Sequence, residues 1–337
     1  MDPVSHVAFG RTLAALDRRR TLGAGAVSAC VIGSLTPDVD ALLMPFGWDR
    51  YLRLHQGGTH SLMGSVVCAA LTAAVVRLLS KRGRYPALWL SAWAGAMGHL
   101  LLDVISGADI RFLWPAGPPV ALPLFAMADP WLGGVLVLGV AILALSRGDS
   151  ARAAVAILIA VSALGGVKAI LYSRTGAVYD PSDGLVQVRR AEAKWGSLIT
   201  WTAYETRADT VDAYRVNALT GAVTPLVHVP RRLNDPLALR SLELETVRNL
   251  VAAHGVTFAT VTGAAPYRQE VLWSDLRYCA PVDSRAASPF PWAPTGPTSS
   301  SPVSCALWFG GQFETAANTF SVSVVRVGRF EQRRSVR

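Results

Sequence analysis

The sequence predicts an α-helical polytopic membrane domain, with about four membrane helices plus N-terminal helices, followed by a mainly β (α+β) extramembrane domain. Only 16% of the 337 residues are charged and 51% are hydrophobic, whereas soluble globular chains carry about 25% charged residues. The long apolar runs end near Tyr172, and the sequence beyond it has mixed polarity. We therefore expect a membrane-embedded domain at residues 1–175 and an extramembrane domain at residues 176–337.

Four apolar segments are close to the length that a membrane helix needs, since a hydrocarbon core of ~30 Å takes about 20 helical residues. These segments are residues 62–80, 87–106, 130–146 and 151–172. Residues 4–20 also have a helical pattern. Residues 22–35 form a shorter apolar stretch, which Thr36-Pro37 interrupts because the residue before a proline disfavours helix.

Basic residues in the short connecting loops predict the orientation of the chain. Lys81–Arg84 joins the first two segments and Arg147–Arg152 joins the last two, so the positive-inside rule places both loops in the cytoplasm. Arg18–Arg20 likewise puts the start of the 22–35 helix inside. Four crossings then leave the chain after Tyr172 outside the cytoplasm, which makes this a multi-pass protein with its C-terminal domain outside.

The net charge of +9 does not indicate a nucleic-acid partner. Basic proteins often bind nucleic acid, but these basic residues form short clusters beside apolar runs. No basic stripe is interleaved with aromatic residues, which a nucleic-acid surface would require. We therefore expect membrane lipid as the surroundings of the chain, no nucleic-acid partner, and protein partners that the sequence leaves unknown.

The four cysteines do not form a CxxC pair, which excludes a zinc ribbon. Cys30 and Cys68 lie in apolar helical sequence and are expected to be buried small residues. Cys279 and Cys305 lie in the C-terminal half. They can form one disulfide if that half faces an oxidising compartment.

The sequence beyond residue 175 is typical of β-strands, because short runs rich in Val, Thr, Tyr and Trp alternate with turn residues. The predicted strand segments are residues 185–188, 198–203, 213–216, 257–261 and 320–327. Residues 237–254 have the pattern of one amphipathic helix. Residues 284–304 are rich in Pro, Ser and Thr and predict a long loop.

The most informative feature is a set of His and Asp residues in the first part of the chain. His99 and Asp103 occupy positions i and i+4 of an apolar segment, so their side chains share one helix face. Titrating groups inside a membrane span are costly, and a functional role is the default interpretation. The alternative is a polar pair that holds two helices together.

Two further pairs accompany this one. His55 and His60 immediately precede the first membrane segment, and Asp38 and Asp40 follow Pro37. In the orientation above, all three elements bring their His and Asp residues to the same outer face of the membrane. An extended strand would direct Asp38 and Asp40 to opposite sides, whereas a turn can bring them together.

Imidazole and carboxylate ligands together suit a divalent metal ion, with Zn²⁺ expected first and Mn or Fe as alternatives. A catalytic zinc ion typically has three protein ligands and a water molecule whose pKa falls to about 7. Seven candidates exceed one such site, so they can serve two metals, or one metal with orienting groups and a base. The expected metal ligands are His6, His55, His60, His99 and Asp103, with Asp38 and Asp40 as catalytic base or further ligand.

Several other polar residues have simpler expected roles. His6, a single His near the N-terminus, can also be a surface or packing residue. Thr59 or Ser61 is expected to cap the helix that follows, and Asp129 to cap the third membrane segment. The two histidines of the C-terminal half are expected to be structural.

The His/Asp pattern resembles the YdjM-like family of membrane-bound, predicted metal-dependent hydrolases. The resemblance covers about residues 1–175 and extends to the stretch Trp273–Arg277. Its residues are His6, Gly33 with Pro37-Asp38-Val39-Asp40, His55-Gln56-Gly57-Gly58-Thr59-His60-Ser61, and Gly98-His99-Leu100-Leu101-Leu102-Asp103. Many members have Arg in place of Gln56, which affects contact with an anion or substrate and leaves both histidines in place.

The resemblance implies a metal-dependent hydrolase of the bacterial inner (cytoplasmic) membrane, and it carries no substrate with it. The function expected here is divalent-metal-dependent hydrolysis at the outer membrane face, where a lipid-linked or phosphoester substrate would suit the location. Two alternatives belong to other classes. One is a non-enzymatic membrane scaffold or stress-response protein, and the other is a small-solute or ion transporter.

Overall fold

The computed structural model describes ten stretches of the chain. They are residues 1–17, 21–48, 51, 54–55, 57–146, 150–178, 186–265, 267–281, 303–327 and 330–336. Two compact units divide the chain. The first contains Met1–Leu42, Leu54–Ala177 and Glu192–Trp201, and the second contains Leu43–Arg53, Val178–Ala191 and Thr202–Arg337.

The first unit is built from helices. The α-helices are α1 (Pro3–Ala14), α2 (Ala26–Gly33), α3 (Leu62–Ser80), α4 (Tyr85–Ile105), α5 (Pro130–Leu145) and α6 (Ser150–Val178). A 3₁₀ helix, Thr36–Phe46, follows α2, and a single 3₁₀ turn, Gly58–His60, precedes α3. All four predicted membrane segments are therefore helical.

Three of these helices, α3, α4 and α6, are long and apolar enough to cross a membrane. Helix α2 and the 3₁₀ helix after it pass the same test as a pair bent by 44°. Helix α5 has only 16 residues, which is short for the predicted third span, because about 20 residues are needed. The described residues thus contain three candidate spans, or four with the bent pair.

Small residues allow α2 and α4 to pack closely. A Cβ atom on Gly33 would lie 2.2 Å from the carbonyl oxygen of Ala92, and one on Gly95 would lie 2.0 Å from that of Cys30. No larger residue fits at either position without moving a backbone, as is usual where helices pack by van der Waals contact in lipid. This contact sets the end of α2 against the middle of α4.

The second unit is mainly β and all its sheets are antiparallel. Its strands are β1 (Val188–Ala193), β2 (Thr200–Thr206), β3 (Thr210–Asn217), β4 (Val223–Pro230), β5 (Thr257–Ala265), β6 (Arg268–Asp275), β7 (Cys279–Pro281), β8 (Val303–Cys305), β9 (Leu307–Glu314), β10 (Thr319–Val327) and β11 (Phe330–Ser335). They form sheets with the orders β1-β2-β3-β4, β11-β10-β9-β6-β5 and β7-β8. The second unit thus has the β fold that the sequence predicts.

Alternating residues of the five-stranded sheet build two separate cores. Phe258 and Trp308 face a core that also contains Val211 of β3. Phe309, on the opposite face, packs in a core with Val247. The pleat of a strand sends successive side chains to opposite faces, so this sheet is covered on both sides.

One sequence prediction for this unit needs correction, and another is largely untested. Residues 237–254 contain two helices, α7 (Pro236–Ser241) and α8 (Glu245–Ala253), and Leu244 between them has an extended backbone. The loop predicted at residues 284–304 lies mostly outside the described residues, and its last two residues belong to β8.

Candidate metal centre

The seven His and Asp residues singled out in the sequence all lie in the first unit, and the structure brings them together. Helix α1 carries one, the 3₁₀ helix two, the segment before α3 two, and α4 two. In this order they are His6, Asp38, Asp40, His55, His60, His99 and Asp103. Three overlapping groups of these residues can hold a metal ion, with ligand atoms within 4.8 Å of one another: His6–Asp38–His99, Asp38–His55–His60 and His60–His99–Asp103.

The middle of the cluster is a pair of imidazole nitrogens. Nε2 of His60 and Nε2 of His99 lie 3.2 Å apart. Oδ2 of Asp103 is 3.5 Å from the first and 3.1 Å from the second. Oδ1 of Asp38 is 3.4 Å and 3.5 Å from the same two atoms. Each carboxylate therefore forms a triangle with the two nitrogens.

The other ring nitrogen of each histidine, Nδ1, has a hydrogen-bond partner outside these triangles. His99 Nδ1 lies 2.9 Å from the carbonyl oxygen of Ser34, which can only accept, so Nδ1 carries the proton. His60 Nδ1 lies 3.1 Å from Thr59 Oγ1 and 3.4 Å from an oxygen of Asp40. The Thr59 hydroxyl donates its proton to Asp40 at 2.9 Å, so it accepts from His60 Nδ1.

This hydrogen bonding leaves the Nε2 lone pairs of His60 and His99 facing each other and two carboxylates. Both imidazoles are fully buried and the Asp103 carboxylate nearly so, while Asp38 is partly exposed, and a positive charge between these electron-rich groups would stabilise them. A proton can supply it. Burial lowers the pKa of His60, but hydrogen bonds to Asp38 and Asp40 raise it, and the resulting pKa is above the ordinary value. A metal ion would satisfy the same acceptors.

His6 has the least satisfied side chain of the cluster. It is fully buried, and neither ring nitrogen has a hydrogen bond among the described residues. Its Nε2 lies 3.3 Å from Oδ1 of Asp103, and its ring stacks on His99 at 3.8 Å and 12°. Burial lowers the pKa of His6 below its ordinary value, which leaves a neutral imidazole able to bind a cation. The α-amino group of Met1 pairs with the same oxygen of Asp103.

Asp38 and Asp40 have different surroundings. The Asp40 side chain is 5% exposed, and it contacts His55 at 3.1 Å and His60 at 3.4 Å. The Asp38 side chain is 34% exposed, so it borders the open side of the cluster. Asp40 is therefore enclosed by two imidazole rings, whereas Asp38 lies at the exposed edge of the cluster.

Three neighbouring residues were predicted as helix caps. Two of them cap helices, and the third contacts the cluster. Ser61 accepts the amide of Gly64 and caps α3, and Asp129 accepts two amides at the start of α5. Thr59 contacts Asp40 and His60 instead of capping the helix. This role of Thr59, and that of the Ser34 carbonyl, were not predicted, because neither follows from residue spacing.

Comparison with known proteins gives a family for the first unit. A family model described as YdjM inner membrane protein matches residues 1–175. The uncharacterized protein YfhP of Bacillus subtilis (strain 168) is 26% identical over 140 residues, which cover 39% of this chain and 43% of that relative. The chain thus spans less than half the length of this curated relative. No solved structure matches the chain.

The matched region and the cluster coincide. Residues 1–175 include all seven clustered His and Asp residues, while the resemblance noted at Trp273–Arg277 lies outside the matched range. The match covers just over half of the 337 residues, and apolar helices of membrane-spanning length accompany it. This chain is therefore a member of the YdjM inner membrane protein family.

Proposed function

We propose that this protein is a membrane-bound, divalent-metal-dependent hydrolase that acts at the outer face of the membrane. The observation that carries the proposal is the convergence of two imidazole lone pairs, from His60 and His99, on buried carboxylate oxygens. Family membership supports the membrane location, and the clustered ligands support a metal. Hydrolysis is inferred from the chemistry that such a centre can perform.

Zinc fits the buried part of the centre best. A tetrahedral zinc ion with bonds of about 2.0–2.1 Å has ligand atoms about 3.3 Å apart. The triangle formed by His60 Nε2, His99 Nε2 and Asp103 Oδ2 has sides of 3.2, 3.5 and 3.1 Å. These three residues would hold the ion and leave its fourth position open. Mn and Fe accept the same ligands and are the alternatives to test.

The residues around this triangle have different catalytic roles in the proposal. When bound, the ion would supply Lewis-acid polarisation and lower the pKa of a water molecule to about 7. Asp38 accepts the proton of the attacking water, because its carboxylate is partly exposed and adjoins both histidines. Asp40 and Thr59 hold His60 in the orientation that turns Nε2 inward. As the scissile bond of the substrate breaks, hydroxide bonds to the electrophilic atom and the leaving group takes up the proton.

The outer location and the substrate class complete the proposal. The positive-inside argument puts the ends of the ligand-bearing elements outside the cytoplasm, as well as the second unit. Val39 and Leu42 are 46% and 70% exposed beside the partly exposed Asp38. Apolar side chains next to the open side of the centre favour a lipid-linked substrate, and a phosphoester bond is one that metal centres hydrolyse well.

Metal content tests the proposal first. The full chain, purified in detergent, is dialysed against Zn²⁺, Mn²⁺ or Fe²⁺, desalted and measured by elemental analysis. We expect stoichiometric metal in the wild type, a large loss in His99→Ala, and no change in His228→Ala, a matched control whose side chain is 67% exposed in the second unit. A wild type that retains none of these metals would remove the basis of the proposal.

Hydrolysis is then tested with bis(p-nitrophenyl) phosphate and with a p-nitrophenyl carboxylic ester, before and after treatment with EDTA. Metal-dependent release of p-nitrophenol in the wild type, absent in Asp38→Asn, supports the hydrolase. A metal-free protein in which His99→Ala only loses stability supports the scaffold or stress-response alternative. Uptake of solute into liposomes without hydrolysis supports the transporter.

A further inference from the structure

The triangle of His60, His99 and Asp103 leaves part of the cluster unused. His6 is fully buried with no hydrogen bond to either ring nitrogen among the described residues. Its Nε2 lies 3.3 Å from Oδ1 of Asp103, the carboxylate oxygen that does not belong to the triangle. Asp103 thus presents one oxygen to His60 and His99 and the other to His6.

We propose that the centre is binuclear, with a second divalent ion that would be held by His6 and Oδ1 of Asp103, beside Asp38. This inference rests on the proposed function, because it presupposes the first ion at His60, His99 and Asp103. It adds a defined second position and a role for His6, which the sequence left open between metal binding and packing.

The spacing of the ligands agrees with two ions. Metal pairs that share bridging ligands in hydrolytic centres lie about 3.5–4 Å apart. The nearly parallel rings of His6 and His99 are separated by 3.8 Å, so each ring can serve one ion of such a pair. Ligand atoms of His6, Asp38 and His99 also lie within 4.8 Å of one another, which brings Asp38 within reach of both positions.

Charge balance is satisfied either by one ion with the ammonium group or by two ions. The cluster contains three carboxylates, Asp38, Asp40 and Asp103, and within the described part of the chain none of them pairs with a lysine or arginine side chain. One divalent ion together with the α-ammonium group of Met1, which pairs with Asp103, balances these three carboxylates. Two divalent ions, three carboxylates and one hydroxide balance to zero.

A competing positive group lies beside Asp103. The α-ammonium group of Met1 contacts Oδ1 of Asp103, which is the oxygen assigned to the second ion. In the binuclear state the ion replaces this ammonium group as the cation next to Oδ1. The rival explanation is a single ion, with His6 as an additional ligand or as a packing residue.

The test counts ions and asks whether they are coupled. Wild type, His6→Ala, His6→Asn and His228→Ala are saturated with Mn²⁺, desalted, and measured by elemental analysis and electron paramagnetic resonance. We expect two equivalents and a spin-coupled signal in the wild type and in the His228→Ala control. Both His6 variants should retain one equivalent and give the signal of isolated Mn²⁺.

Each other outcome has a definite meaning. One equivalent in the wild type, with or without an affinity change in His6→Asn, overturns the binuclear centre but leaves the proposed function standing. Two equivalents in both wild type and His6→Asn show that the second ion is elsewhere, and they also overturn the inference. No bound metal at all overturns the proposed function itself. If the His6 variants do not fold, the stoichiometry and coupling of the wild type alone decide.

Discussion

His99 Nδ1 donates a hydrogen bond of 2.9 Å to the carbonyl oxygen of Ser34, which lies 65 positions earlier in the chain. This bond fixes the tautomer of His99 and turns its Nε2 toward His60. Outer hydrogen bonds of this kind orient metal-binding histidines and raise their basicity. The close packing of α2 on α4 is what brings the Ser34 carbonyl within reach, so a packing defect between these helices should weaken the centre.

Gly95→Ala should disturb this packing. Its new Cβ would lie 2.0 Å from the carbonyl oxygen of Cys30 and 2.8 Å from the amide nitrogen of Ser34, so α2 must move away from α4. We expect zinc affinity to fall by about 10- to 100-fold, the usual cost of losing an outer hydrogen bond. Competition with a fluorescent zinc chelator measures it.

The control for this variant is Gly134→Ala on α5, where a Cβ atom would have nothing within 4 Å. It makes the same change of residue in another apolar helix of the same unit. Equal zinc affinity of Gly95→Ala and Gly134→Ala would show that the contact between α2 and α4 does not support the metal ligands.

Asp40→Asn should weaken the centre through His60. The carboxylate of Asp40 lies near Nδ1 of both His55 and His60 and accepts the hydroxyl of Thr59. We expect about a 10- to 100-fold loss of zinc affinity in Asp40→Asn, because a neutral amide is a poorer acceptor for His60 Nδ1. Thr59→Val should have a smaller effect in the same competition assay, since the charged partner remains.

Asp17→Asn provides the matched control, because the Asp17 carboxylate bonds to Thr21 and to the amide of Leu22 instead. A zinc affinity in Asp40→Asn as high as in Asp17→Asn would contradict the orienting role. Thermal unfolding of each variant separates a loss of metal affinity from a loss of fold.

The sequence indicated the members of the cluster because their spacing carries the information. His99 and Asp103 share a helix face, and the pairs at residues 38–40 and 55–60 flank the ends of apolar helices. The different surroundings of Asp38 and Asp40 could not be predicted, because they depend on the course of the 3₁₀ helix. Backbone partners such as the Ser34 carbonyl have no residue pattern at all.

Strands β4 and β9 show why part of the β unit was not predicted. Pro225 and Pro230 argue against a strand, but β4 is at the edge of its sheet, where proline is tolerated. The pair Gly310-Gly311 is typical of a turn. In β9, Gly310 instead leaves room for the neighbouring strand, because a Cβ atom on it would lie 1.8 Å from the carbonyl oxygen of Val271.

The Cys279–Cys305 disulfide leads to a prediction about the side of the membrane. These residues pair directly across β7 and β8 and are bonded, while Cys30 and Cys68 are free and buried. Disulfides persist in oxidising compartments, so we expect the second unit outside the cytoplasm. Alkylation of freshly lysed cells under denaturing conditions should then label two cysteines before reduction and four after it.

Reporter enzymes fused after Arg337 measure the same point independently. A reporter that works only outside the cytoplasm should be active, and one that works only in the cytoplasm should be inactive. Cys30→Ala with Cys68→Ala is the control and should abolish labelling before reduction. Four labelled cysteines without reduction, or cytoplasmic reporter activity, would place the second unit inside.

Replacing Cys279 and Cys305 by Ser should destabilise this unit by about 3 kcal/mol, from the loop of 26 residues that the bond closes.

Asp275 is expected to make the second unit sensitive to acid. Its side chain is fully buried, and Arg277 binds both oxygens, through Nε at 2.9 Å and Nη2 at 2.7 Å. Burial would raise the pKa of Asp275, but the charge and hydrogen bonds of Arg277 outweigh it and hold the pKa below its ordinary value. The stabilisation is therefore complete above the ordinary Asp pKa of about 3.9 and is lost as the pH falls through the lower folded-state value.

Asp275→Asn tests this stabilisation. The variant replaces the buried carboxylate that binds Arg277 by a neutral amide, and breaking such a pair costs about 3–5 kcal/mol near neutral pH. Glu314→Gln is the control, because Glu314 pairs with Arg268 at 3.5 Å and both side chains are partly exposed, where ion pairs contribute little. Denaturant unfolding is followed by tryptophan fluorescence between about pH 3 and pH 7. The free energy of unfolding of the wild type should fall in acid. That of Asp275→Asn should be lower at every pH and should depend less on pH. If Asp275→Asn loses no more stability than Glu314→Gln at neutral pH, the buried pair does not stabilise the unit.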